Sequence, residues 1–173
     1  MKEIDDLLRD AEALVNSLTG AQANWRPKPG VWSVTESLDH LTLTTRSMMK
    51  AMDQAVEKPG AARGNDPFRP TLFSRFLLWM IDAPARVAKV KAPPEYQPPP
   101  DRPKHVSLGE FIAVHRDFVR RVENEWAGFD LNRVEVTSPF DAKLKYSLGT
   151  GIAIIPAHGR RHLWIARRLS PPK

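Results

Sequence analysis

The sequence PAHGRRHL at residues 156–163 places two histidines, His158 and His162, four positions apart near the C-terminus. In an α-helix, residues four apart lie one turn above each other, so both imidazoles project from one face and can bind the same metal ion. At about 100° per residue, apolar residues of the neighbouring turns fall on the same side as the pair, whereas Arg160 and Arg167 fall on the opposite side. The sequence therefore predicts a helix whose two histidines face inward.

Length and composition limit the kinds of site that this chain can build. Its 173 residues suit one domain covering residues 1–173. The absence of cysteine excludes disulfide bonds and thiolate metal ligands. A transition metal must therefore be held by nitrogen and oxygen atoms, which makes the five histidines the first candidates as ligands.

Charge and hydropathy indicate which partners to expect. The formal net charge is +6, but the basic residues are dispersed along the chain, which does not favour a nucleic-acid partner. The N-terminus carries acidic residues and lacks the apolar core of a secretory signal, and the longest apolar run, residues 76–81, is too short to cross a bilayer. We therefore expect a cytoplasmic protein with neither a nucleic acid nor a membrane as its partner.

Four segments show the apolar periodicity of amphipathic helices, which predicts an all-α four-helix bundle. Capping-box patterns at residues 33–36 and 107–110 mark the expected starts of the second and third long helices. Pro156 should either kink the last helix or mark its start just before His158. The apolar stripes cover residues 4–18, 34–56, 108–126 and 154–169.

The segments between the long helices are less regular. The proline-rich connection at residues 58–106 is expected to contain a short helix at 72–81, capped by Thr71, and an extended, polyproline-like stretch at 93–100. Such a connection can shape a binding site or serve only as a spacer between antiparallel helices. Residues 128–150 fit either a small hairpin or an irregular crossover.

Two further histidines lie on predicted helices. His40 lies about 100–120° from the centre of the apolar stripe and has small polar neighbours, which suits either the wall of a cavity or a half-exposed surface. His115 lies in the middle of its stripe, where a histidine is usually a hydrogen-bonded core residue, although a ligand or ligand-supporting role would also fit. His40, His158 and His162 together would form a three-nitrogen site for one divalent transition metal, with a position left open. Zinc is the first choice, and nickel, iron or cobalt would also fit.

The motif WSVTESLDHL at residues 32–41, followed by HGRRHL at residues 158–163, resembles the DinB-like superfamily. This superfamily of four-helix bundles includes the YfiT-type metal-dependent hydrolases and the bacillithiol and mycothiol transferases. The resemblance covers essentially the whole chain and implies that His40, His158 and His162 bind one divalent metal. It also implies a small-molecule substrate, which in the transferases is a low-molecular-weight thiol.

Two positions depart from the pattern of many relatives. Gly159 stands where they have an acidic residue and Ile165 where they have a glutamine, so we assign no catalytic residue. The expected function is that of a metal-dependent hydrolase or a low-molecular-weight-thiol S-transferase, and the alternative is a non-catalytic bundle that binds a metal or a small molecule. The apolar helix expected at 72–81 further suggests a homodimer.

Overall fold

The computed structural model describes residues 1–85 and 92–169. The parts of the predicted connection at 86–91 and of the predicted domain at 170–173 lie outside the described residues. The described chain is mostly helical and has one small antiparallel sheet, so the all-α class is confirmed in its coarse form. In chain order the elements are α1 (Lys2–Asn16), α2 (Gly20–Asn24), α3 (Val34–Val56), α4 (Leu72–Ile81), a 3₁₀ turn (Pro94–Tyr96), α5 (Lys104–Arg120), a π-turn (Arg121–Glu125), β1 (Glu135–Thr137), β2 (Lys145–Ser147) and α6 (Leu148–Ala166).

The four long helices pack around a shared apolar core. Both α1 and α3 contact α5 and α6, and α4 lies against α6. Large apolar side chains that are at most 1% exposed fill the space between them. Because burial of such side chains is the main favourable term in folding, these contacts fix how α3 and α6 lie relative to each other. The largest of these side chains are Trp126, Phe111, Phe118, Ile4, Leu7 and Leu38.

Local capping explains where α3 and α4 begin. At the start of α3 the Ser33 hydroxyl accepts a hydrogen bond from the Glu36 backbone N–H, and the Glu36 carboxylate accepts one from the Ser33 N–H at 2.8 Å. Thr71 caps α4 by accepting from the Ser74 N–H at 3.1 Å. Each interaction satisfies an N–H group that has no partner inside its helix. The predicted capping box at 33–36 and the predicted N-cap at Thr71 are therefore confirmed.

The predicted start of α5 is wrong. The helix begins at Lys104, three residues before the expected cap, so Ser107 lies inside it. Its hydroxyl donates to the Asp39 carboxylate of α3 at 3.1 Å instead of capping its own helix. His105, expected in the preceding loop, is an exposed residue of the first turn. Beyond Arg120 the helix continues as one turn of π-helix, Arg121–Glu125, the segment named a π-turn above.

Several other expectations about the connections are now decided. Residues 135–147 form a hairpin, in which β1 pairs with β2 in antiparallel register, and Ser147 caps α6. Helix α6 begins at Leu148 and contains Pro156, so the alternative start just before His158 is wrong. The extended stretch is interrupted by the 3₁₀ turn at Pro94–Tyr96. Helix α2 was not predicted, although Thr19 and Gln22 form a capping box there.

Among the described residues, none of the helices combines the length and apolarity needed to cross a membrane.

Candidate metal centre

Three histidines from two helices meet at one point. His40 lies on α3, and His158 and His162 lie one turn apart on α6. The imidazole centroids are 5.3 Å apart for His40 and His158, 4.8 Å for His40 and His162, and 4.6 Å for His158 and His162. One nitrogen from each ring lies within 4.8 Å of the other two. The three histidines are therefore positioned to hold a metal ion.

The orientation of His40 is set by a residue that sequence reasoning missed. His40 Nδ1 lies 2.8 Å from the backbone carbonyl oxygen of Tyr96, in the 3₁₀ turn. A carbonyl only accepts hydrogen bonds, so Nδ1 carries the proton and Nε2 keeps its lone pair. The Tyr96 hydroxyl in turn lies 2.9 Å from Ser47 Oγ and donates to the Pro139 carbonyl at 3.2 Å. The proline-rich connection thus supports the histidine, which is the first of the two roles expected for it.

The carboxylates next to His40 in the sequence have other partners. Glu36 pairs with Arg26 at 2.7 Å, and Asp39 pairs with Arg102 at 3.0 Å. Burial would raise the pKa of Glu36, but its hydrogen bonds to Arg26 and to backbone lower that pKa overall. Burial raises the pKa of Asp39 above its usual value, against the opposing effects of Ser107 and Arg102. Both side chains therefore stabilise the surroundings of α3, and the partner of His40 is a backbone carbonyl.

The surroundings of His40 and His158 favour the neutral form of the imidazole, which is the form that binds metals. Burial lowers the pKa of His40, and its hydrogen bond to Tyr96 opposes this effect only in part. Burial, followed by the positive charges of His40, Arg161 and His115, lowers the pKa of His158 to about 3. Metal binding requires an unprotonated ring nitrogen, so a depressed pKa removes proton competition near neutral pH.

The three histidines open onto a cavity of about 630 Å³. His40 is 6% exposed, so its expected position in a cavity wall is confirmed and the half-exposed surface is not found. The indole of Trp32 lies beside two of the histidines, with its centroid 4.5 Å from that of His40 and 6.0 Å from that of His162. The other side chains that surround the cavity are mostly apolar or aromatic, and they include Met80, Ile81, Pro93, Tyr96, Phe140 and Ile165.

Positions 159 and 165, which depart from the pattern of relatives, face different surroundings. A Cβ atom on Gly159 would lie 2.5 Å from Leu7 Cδ2, so this position faces α1 and not the histidines. Ile165 lines the cavity and presents an apolar side chain to it. The absence of an acidic side chain at position 159 is therefore explained by the close approach of α1 to α6.

His115 is a core residue, as its position in the apolar stripe indicated. It is fully buried, and its Nδ1 donates to the Phe111 carbonyl at 2.8 Å. Its Nε2 has no hydrogen-bond partner. Burial lowers the pKa of His115 to about 4. It is not one of the three clustered ligand candidates.

Comparison with known proteins agrees with the geometry. A family model described as the DinB superfamily matches residues 3–166. The chain belongs to the DinB superfamily. No curated protein and no solved structure gave a significant match. In this member of the DinB superfamily, the resemblance noted at residues 32–41 and 158–163 is thus supported over nearly the whole chain.

The donor set of three imidazole nitrogens suits a divalent transition metal. Zinc sites with three protein ligands and one open position commonly use imidazole nitrogen, with Zn–N distances of about 2.0–2.1 Å. Two nitrogens bound to the same ion are then roughly 3–4 Å apart. The observed upper limit of 4.8 Å between candidate nitrogens is close to that range. The site is therefore compatible with metal binding.

Proposed function

We propose that this protein is a metal-dependent enzyme that uses His40, His158 and His162 to hold one divalent transition metal. The observation that carries the proposal is the convergence of three imidazole nitrogens, from two helices, on the wall of a large apolar cavity. Structural metal sites are usually closed by four protein ligands, whereas three ligands facing a cavity leave room for a reactant. Membership of the DinB superfamily adds support.

The chemistry of the donor set favours zinc, with nickel, iron or cobalt as alternatives. A divalent ion at this position would lower the pKa of a water molecule or of a low-molecular-weight thiol, which suits a hydrolase or a thiol S-transferase respectively. The protein supplies orientation and a mostly apolar cavity wall. Tyr96 holds the ring of His40 by its carbonyl, and the indole of Trp32 packs against His40 and His162.

The second candidate function is a non-catalytic bundle that binds a metal or a small molecule. One observation favours it: among the cavity-lining residues that the structure describes, no Asp or Glu is present to act as a general base. Proton transfer by a positioned side chain commonly contributes about 10²–10⁴-fold to enzyme rates. An enzyme with this cavity would therefore depend on its substrate or on the ion for that step.

We infer that α1, α3, α5 and α6 form a four-helix bundle and that residues 1–173 make a single domain. The mutual contacts of these four helices support the bundle, and the shared apolar core supports one domain. The expected cytoplasmic location stays a prediction.

The proposed partners are a small-molecule substrate and a second copy of the chain. The cavity volume of about 630 Å³ is within the usual range for small-molecule sites. The exposed apolar face of α4, which is formed by Leu72, Phe73, Phe76 and Trp79, supports a homodimer. We propose neither a nucleic acid nor a membrane as a partner.

The decisive experiment measures the metal content of purified protein by elemental analysis. Wild type should carry about one equivalent of a divalent transition metal, and the variants His40→Ala and His158→Ala should lose most of it. His105→Ala is the matched control, because His105 is exposed on α5 and outside the cluster, so this variant should keep its metal. Equal trace metal in wild type and in all variants would refute the proposed site.

A second experiment separates the two enzyme classes. The metal-loaded protein is mixed with a panel of low-molecular-weight thiols and an epoxide or chloronitroaromatic acceptor, and separately with ester and amide substrates. Thioether formation that is lost in His158→Ala would support the transferase, and thiol-independent hydrolysis lost in the same variant would support the hydrolase. Full metal occupancy without turnover in either assay would favour the non-catalytic candidate.

A further inference from the structure

Three hydroxyl groups in the wall of the histidine cavity already donate hydrogen bonds inside the protein. Ser37 Oγ and Thr44 Oγ1 each donate to a backbone carbonyl four residues earlier, at 2.8 and 2.9 Å respectively. The Tyr96 hydroxyl donates to the Pro139 carbonyl at 3.2 Å. A hydroxyl group has one hydrogen, so these side chains can only accept hydrogen bonds from a ligand. They therefore offer a sugar-like ligand no donor in exchange for the water that it loses.

The larger part of the described cavity wall is apolar and includes aromatic rings from separate parts of the chain. Trp32 precedes α3, Tyr96 lies in the 3₁₀ turn and Phe140 lies in the β1–β2 loop. The rings of Tyr96 and Phe140 meet edge to face, with centroids 4.9 Å apart and an angle of 72° between their planes. Aromatic side chains favour a further ring in an offset or edge-to-face arrangement. The wall therefore suits a ligand that itself contains aromatic rings.

Exposure and charge limit the ligand further. Phe140 keeps 41% of its surface exposed, so a ligand that covers it gains the free energy of burying apolar surface. Among the lining residues that the structure describes, none is an Asp or a Glu, so a cationic ligand would find no carboxylate there. An ionised group of either sign would also leave water for a mostly apolar wall, which is unfavourable. An uncharged ligand avoids this cost.

We propose that the cavity binds an uncharged aromatic molecule, whose rings lie against Trp32, Tyr96 and Phe140 and whose polar group faces the three histidines. The cavity volume of about 630 Å³ is sufficient for a molecule with two or more rings. Calling this molecule the substrate rests on the proposed function, because the metal would act on its polar group. The binding of the molecule to the wall does not require the metal.

The test uses two fluorescent probes and the full-length protein freed of metal by a chelator, so that neither probe can bind through an ion. The probes are N-phenyl-1-naphthylamine, which is uncharged, and 8-anilinonaphthalene-1-sulfonate, which adds a negative charge to the same ring system. Protein is titrated into a fixed concentration of each probe, and the rise in fluorescence gives the affinity. The anionic probe also tests whether Arg161, which lines the cavity, selects an acid instead.

Two positions in the wall and one outside it are varied. Wild type should bind the uncharged probe about tenfold more tightly than the anionic one. Phe140→Ala should weaken binding of the uncharged probe about tenfold, and Phe140→Leu should do so to a smaller extent. Met80→Gln, which keeps the side-chain size but adds a polar group to the wall, should weaken it about fivefold.

Trp164→Ala is the control, because it removes an aromatic ring of α6 that does not line the cavity. The Trp164 ring instead packs under the Arg168 guanidinium, 3.5 Å from the ring centroid. This variant should bind the uncharged probe as wild type does. Circular dichroism checks that each variant is folded.

Several results would overturn the inference. Wild type could bind the anionic probe as tightly as the uncharged one or more tightly, or could bind neither probe at millimolar protein. Binding of the uncharged probe could be unchanged in folded Phe140→Ala or Met80→Gln, or could fall equally in Trp164→Ala. Metal content is measured separately on the histidine variants, so a protein that binds no metal could still bind the uncharged probe. Conversely, a failed probe experiment leaves the three-histidine site intact.

Discussion

At the scale of single residues, the candidate site depends on the hydrogen bond from His40 to the Tyr96 carbonyl. It fixes the protonated nitrogen and therefore which nitrogen can bind a metal. Such supporting partners commonly change metal affinity by about 10–100-fold when they are lost. Because the partner here is a backbone atom, its position depends on the 3₁₀ turn and on the Tyr96 hydroxyl that anchors it to Ser47 and Pro139.

His115 leads to a prediction about pH. Its pKa is lowered to about 4 by burial, from an ordinary value near 6.5. The unfolded chain therefore binds a proton at a higher pH than the folded chain does, and stability present above about pH 6.5 is lost as the pH falls toward 4. At about pH 5 this loss amounts to about 2 kcal/mol.

Replacing His115 by leucine should remove this contribution. Between about pH 7.5 and pH 5 the free energy of unfolding should fall for both proteins. We expect the fall to be about 2 kcal/mol smaller for His115→Leu than for wild type. Urea unfolding of the metal-free proteins at both pH values measures the difference. The pKa of His158 is also depressed, so the variant should keep part of the pH dependence. Identical pH profiles for the two proteins would contradict the prediction.

At the scale of helices, the contact between α1 and α6 explains why position 159 has no side chain. A Cβ there would lie 2.5 Å from Cδ2 and 2.8 Å from Cδ1 of Leu7, which is 1% exposed. Two effects oppose each other in Gly159→Ala. Alanine favours a helix over glycine by about 1 kcal/mol, whereas overpacking a filled core costs about 1–3 kcal/mol.

We expect the steric cost to be larger, so that Gly159→Ala lowers the free energy of unfolding by about 1 kcal/mol. In a Leu7→Ala background the clash is relieved, and the same substitution should stabilise the protein by up to about 1 kcal/mol. Urea unfolding of the four proteins of this double-mutant cycle measures the coupling. If Gly159→Ala has the same effect in both backgrounds, the contact with Leu7 does not determine the residue at position 159.

Helix starts that depend on residues close together in the sequence could be predicted from the sequence. The capping box of α3 and the N-cap of α4 were predicted because both partners lie within three residues. The same pattern at residues 107–110 predicted the wrong start for α5, because Ser107 forms its hydrogen bond with Asp39 of another helix, 68 residues away. The helix instead begins at Lys104, and nothing within the motif itself signals that shift.

The candidate site likewise has parts that could be predicted from the sequence and parts that could not. His158 and His162 were placed by helical spacing alone, and His40 by its distance from the apolar stripe and by the family motif. The support from Tyr96 was not predicted, because it joins residues 56 apart through a proline-rich segment without periodicity. The position of Arg161 in the cavity wall was also not predicted, since a single arginine on a helix gives no sign of what it faces.

At the scale of the whole molecule, the cavity exists because separate parts of the chain meet beside the histidines. Helices α3 and α6 supply the three histidines, while the end of α4, the 3₁₀ turn and the β1–β2 loop supply apolar walls. The wall near the end of α4 includes Met80 and Ile81. The same helix presents large apolar side chains outward, so a partner that covers α4 would lie close to the cavity.

This exposed face leads to the last prediction, that the protein is a homodimer joined through α4. Leu72 is 83% exposed, Phe73 49%, Phe76 55% and Trp79 52%, whereas monomeric proteins rarely expose so many large apolar side chains in one contiguous patch. Size-exclusion chromatography with light scattering should give twice the chain mass for wild type and the monomer mass for Phe76→Glu. A charge at the centre of an apolar interface is desolvated without a partner, which should weaken association at least 100-fold. Arg75→Gln, an exposed change on the same helix outside this set, should remain dimeric. A wild-type monomer at high micromolar concentration would contradict the prediction, as would a dimer of Phe76→Glu with unchanged affinity.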